Sequence, residues 1–182
     1  VNLILSLIVV ILVAVMIYCI LDIFSNIKSK TQTTVEVLDE INGYDYELNE
    51  NDSVYFKSLF NNLKEALETE EIDEEEYASL VSQLFISDFY SLDCSLNKND
   101  IGGIQFVYTP YQQDFVSKAK TSVYNYVENN IYGDRKQELP EVSSVEVLSN
   151  TESTYKLGDK EVKAYVITLN ISYVTDMGYD KE

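Results

Sequence analysis

Residues 161–175 read EVKAYVITLNISYVT, and this stretch decides the fold of the 182-residue chain. Apolar side chains occupy every second position in it: Tyr165, Ile167, Leu169, Ile171 and Tyr173. That spacing places them on one face of a β-strand. Residues 157–160, LGDK, are typical of a turn, and Val145 and Val147 mark another strand before it. The sequence therefore predicts two antiparallel strands whose apolar face meets the rest of the core.

Upstream of these strands the apolar residues follow the period of helices. A first helix is predicted from Ser53, with a buried face of Phe56, Leu59, Phe60, Leu63 and Leu67. Asp73 and Glu76 form a capping box that opens a second helix. The apolar face of the second helix consists of Tyr77, Leu80, Val81, Leu84, Phe85, Phe89 and Leu92.

A break and a third helix complete the pattern. Residues 97–103, NKNDIGG, interrupt the helical period, and residues 104–108 predict a short strand. The TPYQ sequence at residues 109–112 supplies an N-cap, a proline at the first helical position and a capping-box partner, so a helix is predicted to run to near Gly133. Its expected buried face is Phe115, Ala119, Val123, Tyr126 and Val127. The whole pattern predicts an α+β domain of about three helices packed on a curved antiparallel sheet.

The N-terminal segment predicts a membrane anchor. Residues 1–21 are almost entirely apolar, and at about 1.5 Å per residue they reach across the hydrocarbon core of a bilayer. No small-residue cleavage site follows them, and the bulky residues before Cys19 do not form a lipobox. We therefore assign residues 1–24 to an uncleaved transmembrane signal anchor. Lys28 and Lys30 alone favour a cytoplasmic domain, whereas the layout of one span before a large domain favours the outside, which we expect.

Residues 25–52 are predicted to be a juxtamembrane linker, with the α+β domain at residues 53–182. Alternating apolar residues flank Asn42-Gly43 within this linker, which indicates either a small hairpin or a partly extended arm. At the other end, residues 176–179 resemble a turn, but no returning strand follows. We expect that the missing C-terminal strands belong to a longer chain, or that a partner supplies one.

Composition limits the chemistry that the protein performs. The formal net charge of −18 predicts no binding to nucleic acid, and the lack of histidine removes the commonest general base and zinc ligand. The acidic run at residues 70–76 suits a helix N-terminus better than calcium, and the loop that begins at Asn97 has Tyr108 where an EF-hand requires glutamate. Cys94 is interpreted as a packing residue. We therefore expect no enzyme activity, and no catalytic, cofactor or metal site.

Tyrosine is abundant in this chain and is common in interfaces, because it joins a large apolar body to a polar tip. Tyr165 and Tyr173 are expected in the core. The candidate interface residues are therefore Tyr108, Tyr111, Tyr124 and Tyr132.

The element order from residue 53 onward resembles the NTF2-like cone fold. With one N-terminal span, the chain is similar to membrane-anchored VirB8-type subunits of bacterial secretion and conjugation machines. Residues 98–108, KNDIGGIQFVY, also resemble uncharacterised envelope proteins of low-GC bacteria. The resemblance implies a non-catalytic extracytoplasmic protein that assembles with other envelope proteins or with itself. The alternative is a sensor or small-ligand-binding domain that uses the cavity of the cone.

Overall fold

The computed structural model describes residues 35–178, which form an α+β fold with three helices and two small antiparallel sheets. The elements in chain order are β1 (Val37–Ile41), β2 (Tyr46–Asn49), α1 (Val54–Leu67), α2 (Glu74–Tyr90), α3 (Thr109–Thr121), β3 (Val142–Leu157) and β4 (Lys160–Tyr173). The predicted mixed class is confirmed. The predicted anchor at residues 1–24 lies outside the described residues, and no helix within residues 35–178 has the length and apolar character needed to cross a bilayer.

The segment around Asn42-Gly43 is a hairpin. Strands β1 and β2 pair antiparallel, and Gly43 adopts a φ of +87° in the turn between them. Ile41, Tyr46 and Leu48 are buried in one cluster with residues of α1 and α2. This hairpin therefore belongs to the core of the domain, and the boundary predicted at residue 53 falls too late in the chain.

Helices α1 and α2 begin where the sequence predicts. The Ser53 hydroxyl accepts a hydrogen bond from the backbone N–H of Phe56 at 3.0 Å. The Asp73 carboxylate accepts from the N–H groups of Glu75 and Glu76 at 2.9 and 3.1 Å. These caps satisfy N–H groups that have no partner within the helix. The two helices pack together through fully buried residues, which include Phe60, Leu63 and Leu84.

The prediction of a strand at residues 104–108 is wrong. Ile104–Phe106 forms a 3₁₀ turn that follows Gly103, whose φ is +78°. This turn brings the ring of Phe106 to 5.0 Å from that of Tyr46 and 6.2 Å from that of Phe56, measured between centroids. Aromatic packing therefore takes the place of strand pairing at this point.

Helix α3 is shorter than predicted, and its start differs. It ends at Thr121 because the backbone N–H of Tyr124 turns back to the carbonyl of Ala119 at 3.0 Å. Val123 and Tyr126, which were expected on its buried face, are exposed. At the N-terminus the cap residue is Tyr108 in place of Thr109, and the Gln112 amide donates to two carbonyls before the helix instead of closing a capping box.

Strands β3 and β4 form the long hairpin that the sequence predicts. Val145 pairs with Ile171, and both are buried in one cluster with Ile86 and Tyr90 of α2. At the tip, Lys163 extends from the same face to Glu74, at the first turn of α2 (N···O 2.7 Å). The face that carries residues 165 to 173 is thus the inner face, as predicted. Strand β3 contains two irregularities, one between Val142 and Ser144 and one between Val147 and Ser149.

Side chains from α1 and α2 cover the edge of β3 at Val145. The Tyr55 hydroxyl accepts from the N–H of Val145 at 2.9 Å and donates to its carbonyl at 3.1 Å. Gln83 donates to the same carbonyl at 2.7 Å. Both backbone groups of Val145 are therefore satisfied by side chains, where a further strand would otherwise bind.

Replacing Tyr55 by phenylalanine is expected to lower the free energy of unfolding by about 1–2 kcal/mol, because the N–H of Val145 loses its partner while the aromatic ring is kept. The control is Tyr111→Phe, at an exposed position, with an expected change below about 0.5 kcal/mol. Urea denaturation measures both variants. Equal stability of the two would show that the edge contact contributes nothing.

Candidate functional site

Two of the four candidate tyrosines lie on the surface together. Tyr108 and Tyr111 flank the start of α3, both are exposed, and their rings meet edge to face with centroids 5.7 Å apart. Their hydroxyls add polar tips to this apolar pair. This pair therefore retains the character expected of an interface.

The other two tyrosines are placed differently. Tyr124 is fully buried at 0 % exposure, and its hydroxyl donates to the carbonyl of Phe89 at 2.8 Å while it accepts from the N–H of Gly102 at 3.0 Å. It is a structural link between α2 and the loop before α3, so its assignment to an interface is corrected. Tyr132 is exposed.

Three aspartates that are distant in sequence line a pocket of about 270 Å³. Asp52 accepts from the N–H of Asn49 at 2.6 Å. Asp88 accepts from Gly103 and Asp100 accepts from Leu96, each at 2.7 Å. Each carboxylate thus ties a loop to a helix or closes a turn.

The pKa values of two of these carboxyl groups are raised in this acidic pocket. Burial, together with the negative charges of Asp52 and Asp100, raises the pKa of Asp88 to about 7, although the hydrogen bond from Gly103 acts in the opposite direction. Burial likewise raises the pKa of Asp52 to about 6. Two carboxyl groups with pKa values near neutrality are suited to proton transfer, but here each of them uses one oxygen to accept a hydrogen bond from a backbone N–H that holds a turn or loop in place. We interpret the acidic pocket as a structural element.

Cys94 also lines the acidic pocket. Burial, helped by the negative charges of Glu141 and Asp93, raises the pKa of its thiol to about 12. The thiol is therefore protonated at neutral pH and is a poor nucleophile. Within residues 35–178, no three acidic or cysteine side chains are grouped as a metal ion would require.

A second cavity, of about 630 Å³, has a more apolar lining. It lies between the end of α2, the turns after α3, residues 137–140 and the end of β4. Its lining includes Tyr90, Leu139, Ile171 and Tyr173, with Tyr126 at 79 % exposure. The volume is in the range of small-molecule sites.

The outer face of the β3–β4 hairpin is uncharged over four successive cross-strand pairs. These pairs are Ser149–Thr168, Thr151–Val166, Ser153–Ala164 and Tyr155–Val162. Val166 is 59 % exposed and Tyr155 is 54 % exposed. Charged residues on this side, Lys160 and Glu146, lie just beyond the two ends of the four pairs, whereas Lys163 lies on the inner side, where it pairs with Glu74 and with Glu152. We call these four pairs the outer hairpin face.

Neither the acidic pocket nor the outer hairpin face is among the sequence predictions. The three aspartates are separated by 36 and 12 positions, so only the folded chain brings them together. The outer hairpin face has a visible signal, because residues 164–175 contain no charged side chain on either alternating face.

Searches of family models, of curated proteins and of solved structures found no match for this chain.

Proposed function

We propose that this protein is a non-catalytic, membrane-anchored assembly protein whose extracytoplasmic domain binds other proteins of the cell envelope. The observation that carries the proposal is the outer hairpin face. It exposes valine and tyrosine side chains without a charged residue, although 24% of the chain is charged. An exposed, uncharged surface that mixes valine and tyrosine with serine and threonine is compatible with a protein interface.

The distribution of charge agrees with an interface on this face. A free edge or open face of a sheet is normally protected from association by charged side chains. Here the chain has a net charge of −18, yet the four pairs of the outer hairpin face carry no charge, and Lys163 on the inner side pairs with Glu74 of α2 and with Glu152. A partner that covers only these four pairs therefore desolvates no charged side chain.

The anchor and the NTF2-like character belong to this proposal. The apolar composition of residues 1–21 supports a single span. Helices followed by a long antiparallel hairpin support the likeness to the cone fold of VirB8-type subunits.

Photocrosslinking in cells tests the assembly function. A benzophenone amino acid replaces Tyr155 on the outer hairpin face or, as the control, exposed Lys118 on α3. We expect discrete adducts with envelope proteins from position 155 and none from position 118. Equal adducts from the two positions, or none from position 155, would contradict the proposal. A topology reporter fused after Glu182 tests the placement, and activity of a cytoplasmic reporter alone would refute it.

The apolar cavity supports the second candidate function, which is binding of a small ligand by a sensor domain. It has the volume for a ligand, and its tyrosines supply polar groups within an apolar lining. The probe is 8-anilinonaphthalene-1-sulfonate, whose fluorescence rises in apolar sites. We expect Val123→Trp, which fills the cavity mouth, to abolish the signal, and Val54→Trp, at a position exposed on α1, to leave it unchanged. Equal signals from both variants would count against a cavity site.

A further inference from the structure

The lining of the apolar cavity carries a single charge, and that charge is negative. Among the described residues that line it, only Glu138 is charged. No lysine or arginine of residues 35–178 belongs to the lining, so an anionic group inside the cavity would have no cation to pair with. The net charge of −18 also raises the concentration of cations at the surface of the chain and lowers that of anions.

The segments that form the cavity are acidic on balance. Arg135 lies in one of them, but its guanidinium binds the carboxylate of Asp93 at 3.0 Å and the carbonyl of Ser95 at 2.8 Å. The charged residues within three positions of a lining residue are Asp88, Asp93, Glu128, Asp134, Glu138, Glu141 and Asp176, against Lys120, Arg135 and Lys136. A cation is therefore the favoured partner for Glu138.

Tyrosine rings supply a second attraction for a cation. Tyr90, Tyr126 and Tyr173 line the cavity together with Glu138. The face of a tyrosine ring attracts an ammonium group that lies within about 6 Å of its centroid. Tyr126 is exposed and so lies at the mouth of the cavity, whereas Ile171 is buried and belongs to its floor.

Hydrogen bonds fix the backbone that carries Glu138 and Tyr126. The Gln137 side chain donates to the carbonyl of Tyr126 at 2.9 Å and accepts from the N–H of Glu128 at 2.9 Å. It thus joins the turns after α3, which carry Tyr126, to the segment that carries Glu138. A backbone that is held before the ligand arrives reduces the entropy lost when one group is bound by both side chains.

We propose that the apolar cavity binds an organic cation, with its ammonium group at the mouth near Glu138 and Tyr126 and its apolar body inside. The class comprises quaternary ammonium compounds and protonated amines that carry a hydrocarbon or aromatic group. The volume of about 630 Å³ accommodates such a body, and apolar residues such as Leu139 and Ile171 bury it. This proposal rests on the second candidate function above and names the class of its ligand.

Two probes of the same shape isolate the effect of charge. The first is (3-hydroxyphenyl)trimethylammonium, and the second is 3-tert-butylphenol, in which carbon replaces the charged nitrogen. The full chain is held in micelles of an uncharged detergent, and the amide signals of Val127 and Leu139, which line the cavity, measure occupancy against the free concentration of each probe. We expect the cation to bind more tightly than the neutral probe, by about fivefold or more.

Replacing Glu138 by glutamine tests the carboxylate. Glu138→Gln is expected to weaken the cation about threefold, to leave the neutral probe unchanged and to strengthen binding of the anion 8-anilinonaphthalene-1-sulfonate. Damage to the cavity would weaken all three probes, so the opposite signs distinguish charge from packing. The control is Glu65→Gln, at an exposed position on α1 outside the lining, which removes the same charge and should leave all three affinities unchanged.

Replacing Tyr126 tests the ring. Tyr126→Phe keeps an aromatic face and should retain binding, whereas Tyr126→Leu keeps only apolar volume and should weaken the cation more than the neutral probe. Tyr126 is exposed, so neither change is expected to unfold the domain.

Any of four results overturns the proposal. The wild-type chain fails to bind the cation, or it binds the two isosteric probes equally. Glu138→Gln leaves the affinity for the cation unchanged, or Tyr126→Leu weakens both isosteric probes to the same extent. If 8-anilinonaphthalene-1-sulfonate still binds in such a case and Val123→Trp abolishes its signal, the ligand-binding function stands with a different class of ligand. If that signal is absent as well, both proposals fail.

Discussion

Replacement of Asp88 by asparagine is expected to raise the stability of the domain at pH 8 and to remove most of the fall in stability between pH 5 and pH 8. The carboxyl group lies in the acidic pocket, where burial and the charges of Asp52 and Asp100 raise its pKa to about 7. Asparagine keeps an oxygen that accepts from Gly103 and never becomes charged.

The direction of the pH effect follows from proton linkage. The pKa of an aspartate in the unfolded chain is about 4, so between pH 4 and pH 7 the folded chain holds a proton that the unfolded chain has lost. Stability therefore falls as the pH rises through this interval, and it is level above it. A difference of three pH units between the pKa values of the unfolded and folded chain changes the free energy of unfolding by at most about 4 kcal/mol.

Urea denaturation at pH 5 and pH 8 measures the effect. Asp114→Asn, at an exposed position on α3, is the matched control and should retain the wild-type pH dependence. The smaller dependence left in Asp88→Asn is assigned to Asp52, whose pKa burial raises to about 6. An Asp88→Asn protein with the wild-type slope between the two pH values would contradict the electrostatic account of this pocket.

Replacement of Gly102 by alanine is expected to destabilise the domain by about 3 kcal/mol, because the chain approaches α2 too closely for a side chain. A Cβ atom at this position would lie 2.7 Å from the carbonyl carbon of Asp88, in addition to overlapping the carbonyl oxygen. Backbone atoms in a helix do not move aside at small cost.

Gly43→Ala is the control for this variant. Gly43 has a φ of +87° with open space around it, so the substitution tests backbone strain without a steric clash. Its expected cost is about 1 kcal/mol. Thermal unfolding of both variants measures the comparison, and a larger loss for Gly43→Ala would show that the approach of Gly102 to α2 relaxes easily.

Local signals in the sequence were sufficient for most of the elements. Ser53 and Asp73 cap their helices through bonds to N–H groups two or three residues away, so the pattern and the structure depend on the same short range. The inner face of β4 follows from simple alternation, and Ile171 is buried as predicted.

The failures all involve contacts between distant residues. Helix α3 ends early because Tyr124 turns inward to Phe89 and Gly102, which no local period reveals. The same burial removes Tyr124 from the candidate interface. The acidic pocket was missed because Asp52 and Asp88 meet only after folding, in a chain with 31 acidic residues that obscure any such pair.

The contacts at Val145 have a consequence for how the domain unfolds. Its N–H and carbonyl are bound by Tyr55 of α1, and the carbonyl also by Gln83 of α2, so the hairpin cannot separate from the helices at this point without leaving both backbone groups unpaired. We therefore expect the β3–β4 hairpin near Val145 to unfold together with α1 and α2, as one cooperative unit.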